Sequence, residues 1–439
     1  MRTLLLTAAA AFALLLVPPV AAAPMAPPVG PAGAVLSPAS TSPATAPLPT
    51  RVEEVLADPL SDPSLGGSVG AIVIDVATGD VVYDLEGDAP RSTASNEKIF
   101  TAASVLQALG PEERLTTTVT WEPTASVLTI VGAGDPTLAS VAAEGSSLGE
   151  LADQVIAAVP AGTSVILHYD TSLFSGPDTA PGWDANYPAL GIAAPVSALL
   201  VDRARVPGST AREADPALAA AAIFAAMLTE RGLAVDGPEP GTSMGNVVAS
   251  TESVPIAEMV ETMLTESDND MAESLAHLAG AELTGTGSFE SGGEATAIAI
   301  KSMGVPTEGL VSVDGSGLSY EDQAAPITLA SVLAEFASGV RDDSISAWSW
   351  PVIPGLPVAG LTGTLNDRFI DADSLAGAGV VRAKTGTLIG VSTLAGTAVD
   401  ADGRLLVFAF MADQTTDVEG SRAALDRAAS ALVSCACSS

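Results

Sequence analysis

The sequence predicts an α+β protein, of α/β class in the broad sense. An antiparallel sheet is flanked by helices, a helix-rich subdomain stands beside it, and a smaller domain is inserted into the chain. Three observations predict this. Alternating apolar and polar residues open the folded region and close it, in AIVIDVATGDVVYDL and STLAGTAVDADGRLLVFAFMAD. Helical patterning fills much of the middle. Residues 116–221 interrupt that order with strands, a helix and a Gly/Pro-rich stretch of their own. The chain, at 439 residues, exceeds one ordinary domain, and its 48% hydrophobic content suffices for a large core.

Taken in order, the chain opens with Met1 and Arg2, an apolar run from Leu4 to Val17, and the small residues Ala21, Ala22 and Ala23. That run is shorter than the roughly 18 residues of a spanning helix. Residues 1–23 therefore read as an export signal cut after Ala22 or Ala23, with an uncleaved anchor as the competing reading. Residues 24–49 are Pro/Ala-rich without apolar periodicity and read as an extended tether. The main domain is expected at 50–115 and 222–439, and the inserted domain at 116–221.

Within the main domain, alternation around Ala77–Asp80 marks a hairpin. The stretch from Ser95 to Gly110 is apolar on nearly every side and ends on glycine, as a buried helix does. TTTVTWEP and VLTIVGAGDPTL read as strands. A helix near 149–158, a strand near 163–167 and an irregular loop over 176–191 follow. Helices resume at Ala217–Arg231 and Ile256–Leu264, and another runs over Ser267–Gly280 behind polar capping residues. VVRAKTGTL and the two halves of STLAGTAVDADGRLLVFAFMAD read as three strands, and SRAALDRAASALVS as a closing helix.

A formal charge of −35 argues against a nucleic-acid partner, whose phosphates it would repel. The only cysteines are Cys435 and Cys437, so the body of the protein folds without a disulfide framework. One intervening residue makes a mutual bridge a strained one, and the sequence leaves their state open. Two such ligands do not make a metal site, and no metal or cofactor is expected.

Lysine is the informative residue. Of 17 basic residues only Lys98, Lys301 and Lys384 are lysines. A chain that otherwise prefers arginine keeps lysine where an amine able to lose its proton is needed. Lys98 follows Ser95 by three residues, on the same face of a buried helix. Burial disfavours the ammonium form and frees the amine to act as a general base for the hydroxyl. Ser267-Asp268-Asn269 opens a second helix; alone it is no more than a helix cap. Lys384-Thr385-Gly386-Thr387 lies on a strand, where a cation and two hydroxyls can hold a carboxylate and Gly386 lets a substrate lie along the backbone.

Other hydrolase designs lack their residues. The chain has two histidines, His168 at the end of a strand and His277 in mid-helix, neither in a motif that presents it. No phosphate-binding loop or zinc-ligand set appears.

The ordered triple S-x-x-K, S-D-N and K-T-G is the signature of penicillin-binding proteins and serine β-lactamases. Together with GAGDPTL, FSGPDTAPGW, PVSALLVDR, DGSGLS and LPVAGLTGTL, it makes the chain resemble the class C low-molecular-mass penicillin-binding proteins. These are the DacB-like D-alanyl-D-alanine carboxypeptidases and endopeptidases. The resemblance runs from about residue 69 to the tail. It implies a transpeptidase-like domain with an insertion between the first two motifs. It also implies roles: Ser95 as acylated nucleophile, Lys98 as its base, Ser267 as proton relay tuned by Lys384, and Asn269 bonded to the acyl side. Thr385 and Thr387 would hold the terminal carboxylate, and the N–H groups of Ser95 and Thr387 the oxyanion. Asp314, Ser316 and Gly317 would shape the site's edge. The implied partners are peptidoglycan stem peptides ending in D-Ala-D-Ala and β-lactam antibiotics, met at the cell envelope. A class A β-lactamase would need a glutamate in an E-x-x-x-N type loop after S-D-N, and no such pair stands between Asn269 and Lys384. A non-catalytic binding protein would have no use for intact Ser95, Lys98, Ser267 and Lys384.

Overall fold

The computed structural model describes residues 48–141, 145–338 and 347–438. The export signal and nearly all of the tether fall outside the described residues. Helix α1 (Pro49–Leu60) leads into the expected hairpin of β1 (Ser68–Asp75) and β2 (Val81–Leu85). Strands from the end of the chain complete this sheet: β10 (Arg382–Leu388), β11 (Val391–Val399) and β12 (Leu405–Asp413). The order is β10-β11-β12-β1-β2, antiparallel throughout.

Strand periodicity sorts the side chains onto two faces. Ala71, Val73, Phe408 and Phe410 pack in a layer with α1 and the last helix, α11 (Val418–Ser434). Ile72, Ile74, Val407 and Met411 face the opposite core. That core is shared by α2 (Glu97–Leu109), α6 (Ile256–Glu266), α7 (Asn269–Thr284), α8 (Phe289–Ser302) and α9 (Pro326–Ser338). The one-turn α10 (Val352–Gly355) packs on α6 and α9. α2 is buried over its first ten residues, as an all-round apolar helix must be. A two-stranded pair, β3 (Arg91–Ser92) with β9 (Gln323–Ala324), ties the chain before Ser95 to the chain after DGSGLS.

Between β3 and α6 a second sheet forms from β4 (Arg114–Glu122), β5 (Val127–Val131), β6 (Ser164–Asp170), β7 (Ala234–Pro240) and β8 (Asn246–Pro255). Its order is β7-β6-β5-β4-β8, with parallel pairing at β5-β6 and β6-β7. Helices α3 (Leu148–Ala158) and α5 (Pro216–Glu230) pack against it, and Val119, Ile130, Leu151, Leu167 and Phe224 form its own core. The one-turn helix α4 (Tyr187–Leu190) lies in the irregular stretch between β6 and α5. We propose drawing the inserted unit at 114–255 instead of 116–221, because α5, β7 and β8 belong to this sheet and core. Sequence pattern does not mark β7, whose AVDGPEP run holds two prolines and is mostly exposed. Among the described residues no helix is long and apolar enough to cross a membrane.

Candidate active site

Ser95 occupies a single 3-10 turn, Ala94–Asn96, directly before α2. Ala94 has φ +42°, a left-handed conformation that strains a residue with a Cβ. Close packing holds the turn in place. Asn96 Nδ2 donates to Thr393 Oγ1 at 2.7 Å, and Thr393 Oγ1 donates to Thr93 O at 3.2 Å. A Cβ on Gly317 would stand 1.8 Å from Ala94 O.

Lys98, one turn along α2, is fully buried. Its Nζ lies 3.3 Å from Ser95 Oγ, 2.8 Å from Asn269 Oδ1 and 2.6 Å from Ser316 O. Burial pulls its pKa down to about 8, against the opposing charges of Glu273, Asp314, Asp268 and Glu97. A neutral amine has two N–H bonds and one lone pair. Asn269 and Ser316 accept the two N–H bonds, which leaves the lone pair for the Ser95 hydroxyl. Such an amine can take a proton from serine.

The second motif is a corner between two helices. α6 ends at Ser267, whose φ of +57° is left-handed, and α7 starts at Asn269. The cap is Asp268, which accepts the Met271 N–H at 2.9 Å. Ser267 thus stands at the kink, where Lys384 Nζ donates to its Oγ at 2.9 Å and to Thr385 O at 2.8 Å. Burial first, then the neighbouring charge of Lys98, holds the Lys384 pKa well below that of a free lysine.

β10 is the outer strand of its sheet. Thr385 and Thr387 line a cavity of about 330 Å³ with Ser95, Ser267, Thr364 and Arg422. Thr385 Oγ1 donates to Thr364 Oγ1 at 2.9 Å. Gly386 has a packing reason of its own beside the expected one. A Cβ there would meet Thr393 Oγ1 at 2.1 Å and Thr93 O at 3.0 Å, so the bare face admits the nucleophile turn. A second cavity of about 790 Å³ shares Ser95, Ser267 and Thr387 and is walled by Trp183, Tyr187, Leu190, Tyr320 and Ile389. Ser95 and Ser267 therefore stand where a polar recess meets an apolar one.

Asp314, Ser316 and Gly317 do not reach the groove; they lie behind Lys98. Asp314 Oδ1 accepts the Ser316 and Gly317 N–H groups at 3.0 and 2.6 Å. Its Oδ2 accepts Ser319 N–H at 2.8 Å and Trp183 Nε1–H at 2.7 Å. This knot turns Ser316 O toward Lys98 and fixes one wall of the apolar recess. Two further buried carboxyls flank the same loop. Glu273 accepts Gly315 N–H at 2.9 Å, and Glu97 accepts Thr93 and Ser312 hydroxyls at 2.9 and 2.5 Å. Burial pushes Glu97 up to about 8 and Glu273 well above its ordinary value. Sequence reasoning missed both, together with Trp183, Tyr320 and Thr364. Trp183 and Thr364 do stand in stretches that carry the resemblance, FSGPDTAPGW and LPVAGLTGTL.

The histidines line neither of the recesses that hold Ser95. His168 Nε2 lies 3.3 Å from Glu239 Oε1. His277 is buried in α7 with Nδ1 2.9 Å from Glu273 O and its ring against Phe174 and Phe289; burial pulls its pKa down to about 4. Cys435 and Cys437 are joined to each other. Among the described residues no group of three or more His, Cys, Asp or Glu is placed to hold a metal.

The sequence matches the family model described as the D-Ala-D-Ala carboxypeptidase 3 (S13) family over residues 52–215 and 208–432. Carboxypeptidase DacB of Mycolicibacterium smegmatis is 35% identical over 430 residues, 95% of this chain and 91% of that protein. A D-alanyl-D-alanine carboxypeptidase of an Actinomadura species is 29% identical, over 81% of this chain and 80% of its own. Penicillin binding protein 4 (dacB) from Haemophilus influenzae superposes with a TM-score of 0.71 at 22% identity, covering 86% of this chain and 97% of that one. That likeness shows a common fold. The family model spans nearly all of the folded chain, and the chain belongs to the D-Ala-D-Ala carboxypeptidase 3 (S13) family.

Proposed function

We propose that this protein is a serine-type D-alanyl-D-alanine carboxypeptidase that trims peptidoglycan stem peptides through an acyl-enzyme on Ser95. One observation carries the reading: the buried Lys98 Nζ stands 3.3 Å from Ser95 Oγ with Asn269 Oδ1 and Ser316 O as its other two partners, so that in the neutral form its lone pair is left for Ser95. The peptide end lies along the open edge of β10, its carboxylate at the Thr385 and Thr387 hydroxyls and the Lys384 charge. Lys98 accepts the hydroxyl proton as Ser95 Oγ attacks the carbonyl carbon between the two D-alanines. The oxyanion is received by the Ser95 and Thr387 N–H groups. As the C–N bond breaks, the leaving D-alanine amine takes a proton through Ser267, beside Lys384, while Asn269 holds the acyl side. Water then hydrolyses the ester. A strained β-lactam amide opens on the same serine, and a cross-linked peptide is cut by the same steps.

Peptidoglycan lies outside the cytoplasm, and the reading of residues 1–23 as an export signal accounts for delivery there. The experiment is release of D-alanine from a stem peptide ending in D-Ala-D-Ala. Turnover is expected, blocked by penicillin. Lys98→Arg is expected to keep the fold and lose about a thousandfold in acylation, since a guanidinium cannot accept the proton. A folded parent that releases no D-alanine would overturn the reading, and Lys98→Arg acylating within tenfold of the parent would place the base elsewhere.

A further inference from the structure

The stretch between β6 and α5 has little regular structure, yet it grips each residue that follows Ser267. Arg203 lies 2.5 Å from Asp268, whose side chain is 8% exposed. Asn269 Nδ2 donates to Ile192 O at 2.8 Å. Asp270, 3% exposed, accepts Ala194 N–H at 2.6 Å and Arg212 Nε–H at 2.8 Å. Arg203 is held out to this corner by a costly backbone. Asp202, Arg203 and Ala204 have φ of 51, 55 and 51°, a left-handed run of three residues with side chains. Asp202 Oδ1 accepts Ser140 N–H at 3.0 Å, which anchors the run to the inserted sheet's loop.

We propose that Arg203 and Arg212 are positioning residues, which clamp Asp268 and Asp270 on either side of Asn269 and so hold Asn269 Oδ1 against Lys98. The proposal rests on Lys98 being the base for Ser95. Asn269 bridges the two parts, donating to Ile192 O of the insertion and accepting from Lys98 at 2.8 Å. If the corner turns, Oδ1 withdraws and Lys98 spends an N–H bond on Ser95 instead of its lone pair. The insertion therefore acts on the chemistry from outside the groove. The same stretch carries Trp183, Tyr187 and Leu190, so one segment supplies both the clamp and a wall of the apolar recess.

Charge gives the clamp a signature that packing alone lacks. Lys98 is faced by Glu97 on its own helix, Glu273 and Asp268 on α7 and its cap, Asp314 on the following loop, and Lys384 on β10. Asp268 favours the ammonium form of Lys98, and the Arg203 guanidinium offsets it.

The test compares parent, Arg203→Ala, Arg203→Lys and Arg212→Ala in the full chain. The readouts are the rate of acylation by a fluorescent penicillin from pH 6 to 10, and thermal stability. Arg203→Ala is expected to acylate about tenfold more slowly at neutral pH, as a misplaced catalytic group does. Its acid limb is expected to move to higher pH. Arg203→Lys, which keeps the charge without the planar fork, should restore the limb and only part of the rate. Arg203→Ala with the parent's rate and limb would overturn the clamp alone. So would a loss that follows melting temperature and that lysine does not rescue. Should buried Arg212→Ala fail to fold, the half-exposed Arg203 decides. A parent that takes no label on Ser95 would overturn the site reading and the clamp with it.

Discussion

Two of the chain's three lysines are fully buried, and the proposed chemistry turns on their protons. Lys98 can serve as base only when neutral. With its pKa drawn down to about 8, about a tenth is neutral at pH 7. Acylation by penicillin is therefore expected to climb with pH and level off above about 8. Rates from pH 6 to 10 check this, and a flat profile would mean that Lys98 does not titrate in the step. In the proposed chemistry Thr385 and Thr387 serve recognition. Charge-assisted bonds of their kind contribute about 1.5–3 kcal/mol each when shielded from water. The double change Thr385→Val, Thr387→Val should weaken carboxypeptidase turnover strongly. Hydrolysis of a thioester lacking a terminal carboxylate should suffer less, because the Thr387 N–H survives. Equal loss of both activities would remove the carboxylate role.

At the scale of elements, the site is a contact between a turn and a strand. Gly386 lies where they meet, and no β-carbon fits there without moving Thr393 or the Thr93 carbonyl. Gly386→Ala is therefore expected to displace the Ser95 turn and cut acylation sharply while the β10-β11 pairing persists. Acylation kinetics beside circular dichroism check it; unchanged acylation would show that the turn has slack. The elements most legible in the sequence were those whose signal is local. The β1-β2 hairpin, the closing strands, the largely apolar α2 and capped α7 all announce themselves by period or cap. Helix α8 hides behind paired glycines in FESGGEATAIAIKS, and β7 behind its prolines. The site follows the same division. Lysine scarcity and three short motifs point to Ser95, Lys98, Ser267 and Lys384. Trp183, Arg203 and Thr364 stand inside stretches that carry the resemblance, yet no local pattern gives them or Glu273 a role, because distant chain segments bring them to the site. Gly386 is marked by its motif, but the close approach of Thr393 and the Thr93 carbonyl that its bare face permits is a tertiary contact no local pattern announces.

For the molecule as a whole, the governing quantity is the charge of −35. A substrate ending in a carboxylate approaches a strongly anionic protein, attracted locally where basic side chains such as Lys384 and Arg422 stand at the polar recess. Repulsion reaches about 30 Å at 0.01 M salt and about 8 Å at 0.15 M. kcat/KM for an anionic peptide should therefore rise about twofold or more over that range before levelling. A neutral thioester should show little change. A fall for the anionic peptide would mean that local attraction outweighs the global field.

The central claim is that Ser95 is the residue acylated. Trypsin cuts after Arg91 and Lys98, so residues 92–98 form one short peptide, while Ser267 lies in the long peptide 232–301. The decisive measurement is fragmentation mass spectrometry of the penicillin-treated protein. A penicilloyl adduct is expected on Ser95 within 92–98, with Ser92 and Thr93 unmodified. An adduct on Ser267, or none on a folded and penicillin-saturated sample, would contradict it.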